Sequence, residues 1–314
     1  METKEFIKYL EAKDLAPTTI NYYLIYVELF FKWAKKEDIQ VIKPDVLRYL
    51  EYLKNKRGQQ NVTRKNQLIA LKHYFTHLYQ REQITISPCA VLKIRGANKK
   101  KLHKIYTPDE LELLCDNYYN YFVRNYDDSH IPKNQRKYAA LNRHRNAVIL
   151  SVLANQGIST NEIEIIELDN LDLSKATIKI QNKRTAERTL PLKATQIGLL
   201  MYYLQNTRPQ LLEYQTKESK KLFLPLPKSG SNKTDSETLK YAVKPLAQQV
   251  KIIDRQFINF QQVRASVISF WIKTQGLRKA QHLAGHKSIA STENYLPNNI
   301  DNLIDDINKM HPFL

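Results

Sequence analysis

Apolar positions recur at helical spacing through most of the chain and alternate at strand spacing in one short region. Phe6 and Leu10 mark an opening helix. After Pro17-Thr18, the residues Ile20, Tyr23, Leu24, Val27, Phe30, Phe31 and Ala34 line one face of a second. Pro44-Asp45 starts a third, with Val46, Leu50 and Leu53 aligned, because proline suits a first helical turn. A fourth carries Leu68, Leu71, Phe75 and Leu78, with Arg64, Lys65 and Lys72 on its polar side. Residues 1–95 therefore predict a four-helix bundle.

A second domain, 107–314, opens at Thr107-Pro108-Asp109-Glu110, where acids in the first turn complement the helix dipole. Helix is expected to about Tyr121, then a basic insertion, then helix from Arg143 to about Gln156, ended by Gly157. Thr160-Asn161-Glu162 begins a short helix. Thr177-Ile178-Lys179-Ile180 and Arg188-Thr189-Leu190-Pro191-Leu192 flank the charged turn 181–187, which predicts a β-hairpin with a projecting tip. Lys228–Ser236 reads as a flexible loop, and helix returns as far as Met310. The expected fold is mainly α with a small β-hairpin: a helical bundle followed by a mixed α+β domain. No internal repeat is visible.

Charge adds a partner to this picture. The 314 residues include 49 Lys plus Arg against 31 Asp plus Glu, a formal net charge of +18. Such an excess attracts polyanions, chiefly by releasing counterions condensed on nucleic acid. The charge is clustered: Lys93–Tyr106 holds six Lys/Arg and no acid, and Pro132–Asn146 holds five and no acid. The first run contains Gly96 and reads as a basic linker over 96–106, with Lys99, Lys100 and Lys101 facing a duplex. Two cysteines are too few for a disulfide framework or a four-cysteine zinc site. No apolar run approaches the roughly 20 residues that span a bilayer, and the N-terminus lacks a signal-peptide layout. A soluble cytoplasmic protein is the expectation.

The chemistry-bearing residues cluster in the second half. Asn259 is a plausible helix cap with Gln262 three residues on, and Gln261 and Arg264 lie on one side of that helix. Val263, Val267 and Phe270 are its expected buried face. An arginine opening so apolar a helix needs an anionic partner once buried. Downstream, Gly285 ends a helix and leaves His286 in the turn; Ser288 or Ser291 caps the next helix, which is expected to carry Tyr295. The chain has only seven glycines and no phosphate-cradling glycine loop, and no His/Asp/Glu set has metal spacing, so no cofactor and no metal are implied.

The ordered set Leu283-Ala284-Gly285-His286-Lys287-Ser288, Thr292 and Tyr295 resembles the C-terminal signature of the tyrosine recombinase (phage-type integrase) family. Gln261-Gln262-Val263-Arg264 resembles that family's His-x-x-Arg box, and the 177–192 hairpin resembles its lysine-bearing hairpin. The resemblance covers the whole chain. It implies a SAM-like, core-binding first domain and a catalytic second domain that breaks and rejoins DNA. Tyr295 would be the nucleophile, forming a 3′-phosphotyrosyl link and freeing a 5′-hydroxyl. Arg264 and His286 would hold the non-bridging oxygens, and Lys183 would protonate the leaving oxygen. Homo-oligomers, a tetramer on synapsed duplex DNA, are implied too. The amphipathic stretch 302–310, with Leu303, Ile304, Ile307 and Met310 in a stripe, would pack on its own domain or dock on a neighbouring protomer.

Two positions depart from the pattern. Ser159 stands where the family usually has an arginine, and Gln261 where it has a histidine. A lost oxyanion contact costs roughly 10²–10³ in rate. Three outcomes fit: Arg184, Arg188, Arg143 or Arg145 reaches the phosphate instead; Gln261 hydrogen-bonds it without charge; or the protein binds DNA without cutting. Activity is the favoured expectation, in a mobile element, phage or chromosome-maintenance system. The alternatives are an inactive architectural or regulatory DNA-binding protein and a type IB topoisomerase. Neither a membrane nor a small-molecule substrate is expected.

Overall fold

The structure is a computed structural model and describes residues 3–96, 104–182, 185–227, 234 and 238–296. The chain divides into two compact units, Met1–Lys100 and Lys101–Leu314.

In the first unit, α1 (Thr3–Ala12), α2 (Pro17–Ala34), α3 (Lys43–Asn55) and α4 (Asn61–Gln80) enclose one core. The apolar stripes meet as their spacing predicts: Phe6, Val27, Phe30, Val46, Leu71 and Phe75 are fully buried. Edge-to-face packing of Phe30 on Tyr49 (5.1 Å, 77°) adds directional contact at the centre. Asp45 in the first turn of α3 accepts the Ile42 amide at 3.1 Å, the role its position near a helix start predicts.

The second unit starts with α5 (Pro108–Tyr118), capped by Thr107: Oγ1 accepts the Glu110 amide, and Glu110 accepts the Thr107 amide at 2.7 Å. A wider π-type turn over Tyr119–Arg124 follows. Next comes α6 (Lys133–Gln156), which begins ten residues before the expected start at Arg143. The supposed basic insertion is the first half of this helix. Over 133–142 only Leu141 is buried, so no apolar stripe marks that half. Residues 147–154 are buried all round, the mark of a central helix. Around α6 pack α5, α8 (Ala194–Tyr202), α10 (Lys240–Ile253) and α11 (Phe260–Gln275); α7 (Thr160–Ile165) and α9 (Arg208–Leu212) are short connectors. Neither α8 nor α9 was legible in the sequence, because α8 buries Gln196 and exposes Met201 and Tyr202.

The hairpin is present as β2 (Thr177–Ile180) and β3 (Arg188–Pro191), joined by the two-residue β1 (Leu171–Asp172) into a three-stranded antiparallel sheet. The register pairs Ile178 with Leu190 and Ile180 with Arg188. Strand alternation therefore turns Arg188 to the same inner face as Ile178 and Leu190. After α11 come α12 (Leu277–Ala284) and α13 (Ile289–Glu293). The expected apolar face of α11 includes Val263 and Val267, but Phe270 is 40% exposed: the helix turns that position outward. The loop Lys228–Ser236, apart from Thr234, and the stretch 302–310 lie outside the described residues. Among the described residues, no helix is long and apolar enough to cross a membrane.

Candidate active site

Four separate elements bring charged side chains to one place in the second unit. Arg264, in the second turn of α11, is held by that helix's cap: Asn259 Oδ1 accepts the Gln262 amide at 3.0 Å. Gln262 does not return to the cap residue; its Oε1 accepts the Ile258 amide at 2.8 Å. The guanidinium of Arg264 donates from Nη1 to Gly157 O (2.6 Å) and from Nη2 to Ala284 O (2.9 Å). These two carbonyls end α6 and α12, so one arginine satisfies orphan acceptors at two helix C-termini. Gly157 and Gly285 both sit in the left-handed region, at φ 54° and 70°. A side chain at Gly157 would press on Val267, and one at Gly285 would overlap the Arg188 guanidinium.

The counter-charge is Glu162, on α7. Its carboxylate accepts Arg188 Nη1 at 2.8 Å and Arg264 Nη1 at 3.3 Å, with both acid and Arg188 buried to within 1%. It also accepts the Ser159 amide at 2.8 Å and Ser159 Oγ at 3.0 Å. Burial pushes the Glu162 carboxyl up, but Arg188, the Ser159 amide and Arg264 outweigh it, and the net shift is below the usual carboxylate range. An Arg–Glu–Arg triad of this kind is a strict constraint, since removing one partner of a buried pair costs about 3–5 kcal/mol.

His286 follows Gly285, its amide bonded to Gln281 O at 3.0 Å. Its Nε2 faces Arg264 Nη2 at 3.4 Å, and its Nδ1 lies 2.9 Å from Thr292 Oγ1. Arginine can only donate, so Nε2 is the acceptor and Nδ1–H donates to Thr292. Burial lowers the His286 pKa first, Arg264 and Arg188 lower it further, and Glu162 opposes them; the result is about 4. The ring is thus neutral near pH 7. Tyr295 stacks on it, centroids 5.7 Å apart and planes at 12°. Tyr295 is not on the helix expected to carry it. α13 ends at Glu293, and Tyr295 sits in the following turn, its amide on Thr292 O at 2.9 Å. Ser288 occupies the α13 cap position without a side-chain bond.

A cleft of about 740 Å³ opens over this cluster, with Ser159, Lys244, Asn259, Gln261, Arg264 and Tyr295 among its walls. Basic, hydroxyl and amide groups there suit an anion with several oxygens, and the wall's carboxylate, Glu164, accepts Thr238 Oγ1 and the Leu239 amide. Among the described residues, no group of three or more His, Cys, Asp or Glu is placed to hold a metal ion.

A model of the phage integrase family matches residues 131–301. The chain belongs to the phage integrase family. A second model, of the phage integrase N-terminal SAM-like domain, matches residues 3–85, so the helical bundle is the family's SAM-like domain. As an integrase-family protein, it is similar over nearly its whole length to tyrosine recombinase XerC of Natranaerobius thermophilus, at 27% identity over 318 residues, covering 99% of this chain and 98% of that one. It shares its fold with the XerH site-specific recombinase bound to a palindromic difH substrate in a post-cleavage complex. That match has a TM-score of 0.68 and 20% identity, covering 97% of this chain and 84% of the other. A lambda integrase tetramer bound to a Holliday junction gives a TM-score of 0.59 and 12% identity, covering 91% and 76%.

Of the residues singled out in this integrase-family sequence, Arg264, His286 and Tyr295 converge, and Ser159 and Gln261 line the same cleft. Lys183, Arg184, Lys99, Lys100 and Lys101 lie outside the described residues. Three arginines expected to face DNA do not. Arg145 is 1% exposed and donates to Leu224 O at 3.0 Å and to Asn142 and Asn146, so it braces α6 from within. Arg143 is buried with its guanidinium 4.0 Å above the Tyr126 ring. Arg188 lies beneath the cleft, on Glu162. In the first unit, Arg64 and Lys72 are part-exposed and each donates to a backbone carbonyl, of Leu50 and Ala90; Lys65 is half-buried beside them.

Two residues of the cluster escaped the sequence reading. Glu162 was legible in principle: alternation turns Arg188 inward beside Leu190, and a buried arginine demands an acid. Lys244, on α10, has no local signal and joins the cleft through packing alone. The depressed His286 pKa makes a stability prediction. The unfolded imidazole takes a proton below about pH 6.5 and the folded one only near pH 4. Stability from this group is complete above the higher value and is lost as pH falls through the window. Wild-type protein should therefore lose on the order of 2 kcal/mol more than His286→Gln between pH 7 and 4, after discounting for partial exposure. Parallel urea titrations would show this; equal losses would remove the assignment of a neutral, half-buried imidazole.

Proposed function

We propose that this protein is a site-specific DNA recombinase that cuts and rejoins strands through a covalent bond to Tyr295. The observation that carries the proposal is that His286 touches both Arg264 and Tyr295, the two residues that line the cleft beside it. In the forward step Tyr295 Oη gives up its proton to solvent and attacks phosphorus, the P–O5′ bond breaks, and the 5′-oxygen takes a proton from the proposed acid to leave as a hydroxyl. Rejoining reverses the step on a new 5′-hydroxyl, so the phosphotyrosyl bond conserves the energy and no nucleotide cofactor is needed. Arg264 supplies charge to the non-bridging oxygens. His286 Nε2 gains a proton as phosphate charge arrives and then donates to an oxygen. Lys183, carried by resemblance alone, is the proposed acid for the leaving oxygen.

The substrate in this reading is duplex DNA, held by the basic surface of both units, including Arg64, Lys65, Lys72 and the 96–106 linker. A homotetramer on two synapsed duplexes is the proposed working assembly, by analogy with the lambda integrase structure. Its place of action is the cytoplasm, at the nucleoid. The test is a nicked suicide substrate built from DNA flanking the encoding element, incubated with protein and resolved on a denaturing gel. A covalent band is expected. Binding to the same DNA should weaken about 10³-fold or more between 50 and 200 mM salt.

A second reading has its own observation. Ser159 is fully engaged as the cap of α7, and Gln261 brings no charge, so the cleft holds fewer cations than the family pattern would place there. A DNA-binding protein that does not cut would show tight, salt-sensitive binding and no covalent band.

A further inference from the structure

Arg188 has no part in the chemistry above, and its side chain is fully buried. Yet it makes the shorter of the two ion pairs to Glu162, 2.8 Å against 3.3 Å for Arg264. It also donates from Nε to Leu283 O at 2.8 Å, and just before its strand the Ala186 amide donates to Gly285 O at 3.0 Å. Its third nitrogen, Nη2, is buried and finds no acceptor among the described residues. A neutral side chain of similar shape would avoid that orphaned donor, so the charge itself needs a reason.

Charge balance supplies one. Glu162 carries one negative charge and touches two guanidinium groups. If Arg188 were neutral, the carboxylate would pair with Arg264, and the cation facing the cleft would become half of a neutral pair. With serine at position 159 no second arginine stands by to compensate. We infer that Arg188 is a positioning residue of the proposed strand-transfer site: it neutralises Glu162 so that Arg264 keeps its positive charge for the scissile phosphate, and it ties β3 to the turn that holds His286. The inference rests on the reading of the cleft given above.

The test uses full-length Arg188→Met, Arg188→Lys, and the double variant Arg188→Met/Glu162→Gln, each checked by circular dichroism. In the suicide-substrate assay, Arg188→Met should cleave about 100-fold more slowly, the scale of a lost electrostatic contact. Arg188→Lys should stay within about tenfold of wild type, and the double variant should recover at least about tenfold over Arg188→Met, because the unbalanced carboxylate is gone. Removing the partner's charge would also restore stability to a purely structural arginine variant, so the rescue of rate is read together with a second measurement.

The second readout needs no cleavage. Among the described residues, His286 faces Arg264 on α11, Arg188 on β3, Glu162 on α7 and the Tyr295 ring, with Lys287 next in sequence. Its titration, followed by NMR and assigned with His286→Gln, should rise by about one unit or more in Arg188→Met and return in the double variant. A double variant as slow as Arg188→Met, or an unshifted His286 titration, overturns the inference. If Arg188→Met does not fold, a folded and active double variant supports it, and failure of both to fold overturns it. Absence of a covalent band from wild type would overturn the strand-transfer reading instead, leaving the titration to decide the charge balance.

Discussion

Tyr295→Phe should abolish the covalent protein–DNA band while leaving duplex affinity nearly unchanged. The substitution removes one oxygen and keeps the ring that stacks on His286 at 5.7 Å. Among the described residues the Tyr295 hydroxyl makes no hydrogen bond whose loss would disturb its neighbours. Strand cleavage should therefore fall by about 10⁴-fold or more, the scale on which losing a nucleophile acts. Affinity should stay within about twofold, because no cation that neutralises a phosphate is removed. Running the denaturing gel beside a native gel shift measures both. A surviving covalent band would assign the nucleophile to another of the 19 tyrosines. Parallel loss of binding and cleavage would make Tyr295 a structural residue.

Arg264→Ala should be the most damaging change among the cleft's charged residues, in rate and in stability together. It removes the cation proposed to meet the phosphate, it takes the donor from Gly157 O and Ala284 O in a buried place, and it leaves Glu162 with one guanidinium instead of two. A fall in cleavage of about 10³-fold is expected, with a loss of about 3–5 kcal/mol from the broken buried pair. Ser159→Ala is the informative contrast. Ser159 caps α7 and donates to Glu162, so its loss should cost about 1 kcal/mol and leave cleavage within about tenfold of wild type. Urea unfolding and single-turnover cleavage on one batch of each variant separate the two effects. Comparable cleavage by wild type and Arg264→Ala would remove Arg264 from the site.

Sequence pattern and structure diverge in instructive places. Helices with clean apolar stripes, α2, α3 and α4, match their expected spans closely, because burial on one face is what a 3.6-residue period encodes. α6 was cut short because its first half buries only Leu141 over 133–142, and the partners of buried Arg145, which are Asn142, Asn146 and Leu224 O, are likewise invisible to periodicity. The same arginine looked like a DNA contact, since clustered basic residues read as surface until a structure shows which are paired. Tyr295 shows a finer limit. The sequence places it nine residues after His286, but whether it rides on α13 or in the turn beyond depends on local hydrogen bonding that side-chain pattern does not record.

By itself, the sequence determined the helical bundle, the position of the hairpin, the strong positive charge and the order Arg264, His286, Tyr295. These are local or compositional properties: periodicity, turn chemistry, net charge and spacing along one stretch of chain. Only the tertiary structure decided that Glu162 joins Arg188, 26 residues away, to Arg264, 102 residues away. It also brought Lys244 to the same cleft and turned Arg143 and Arg145 inward. The physical reason is that periodicity tells which face of an element is buried, whereas the meeting of two buried faces is set by packing and charge pairing across the whole unit.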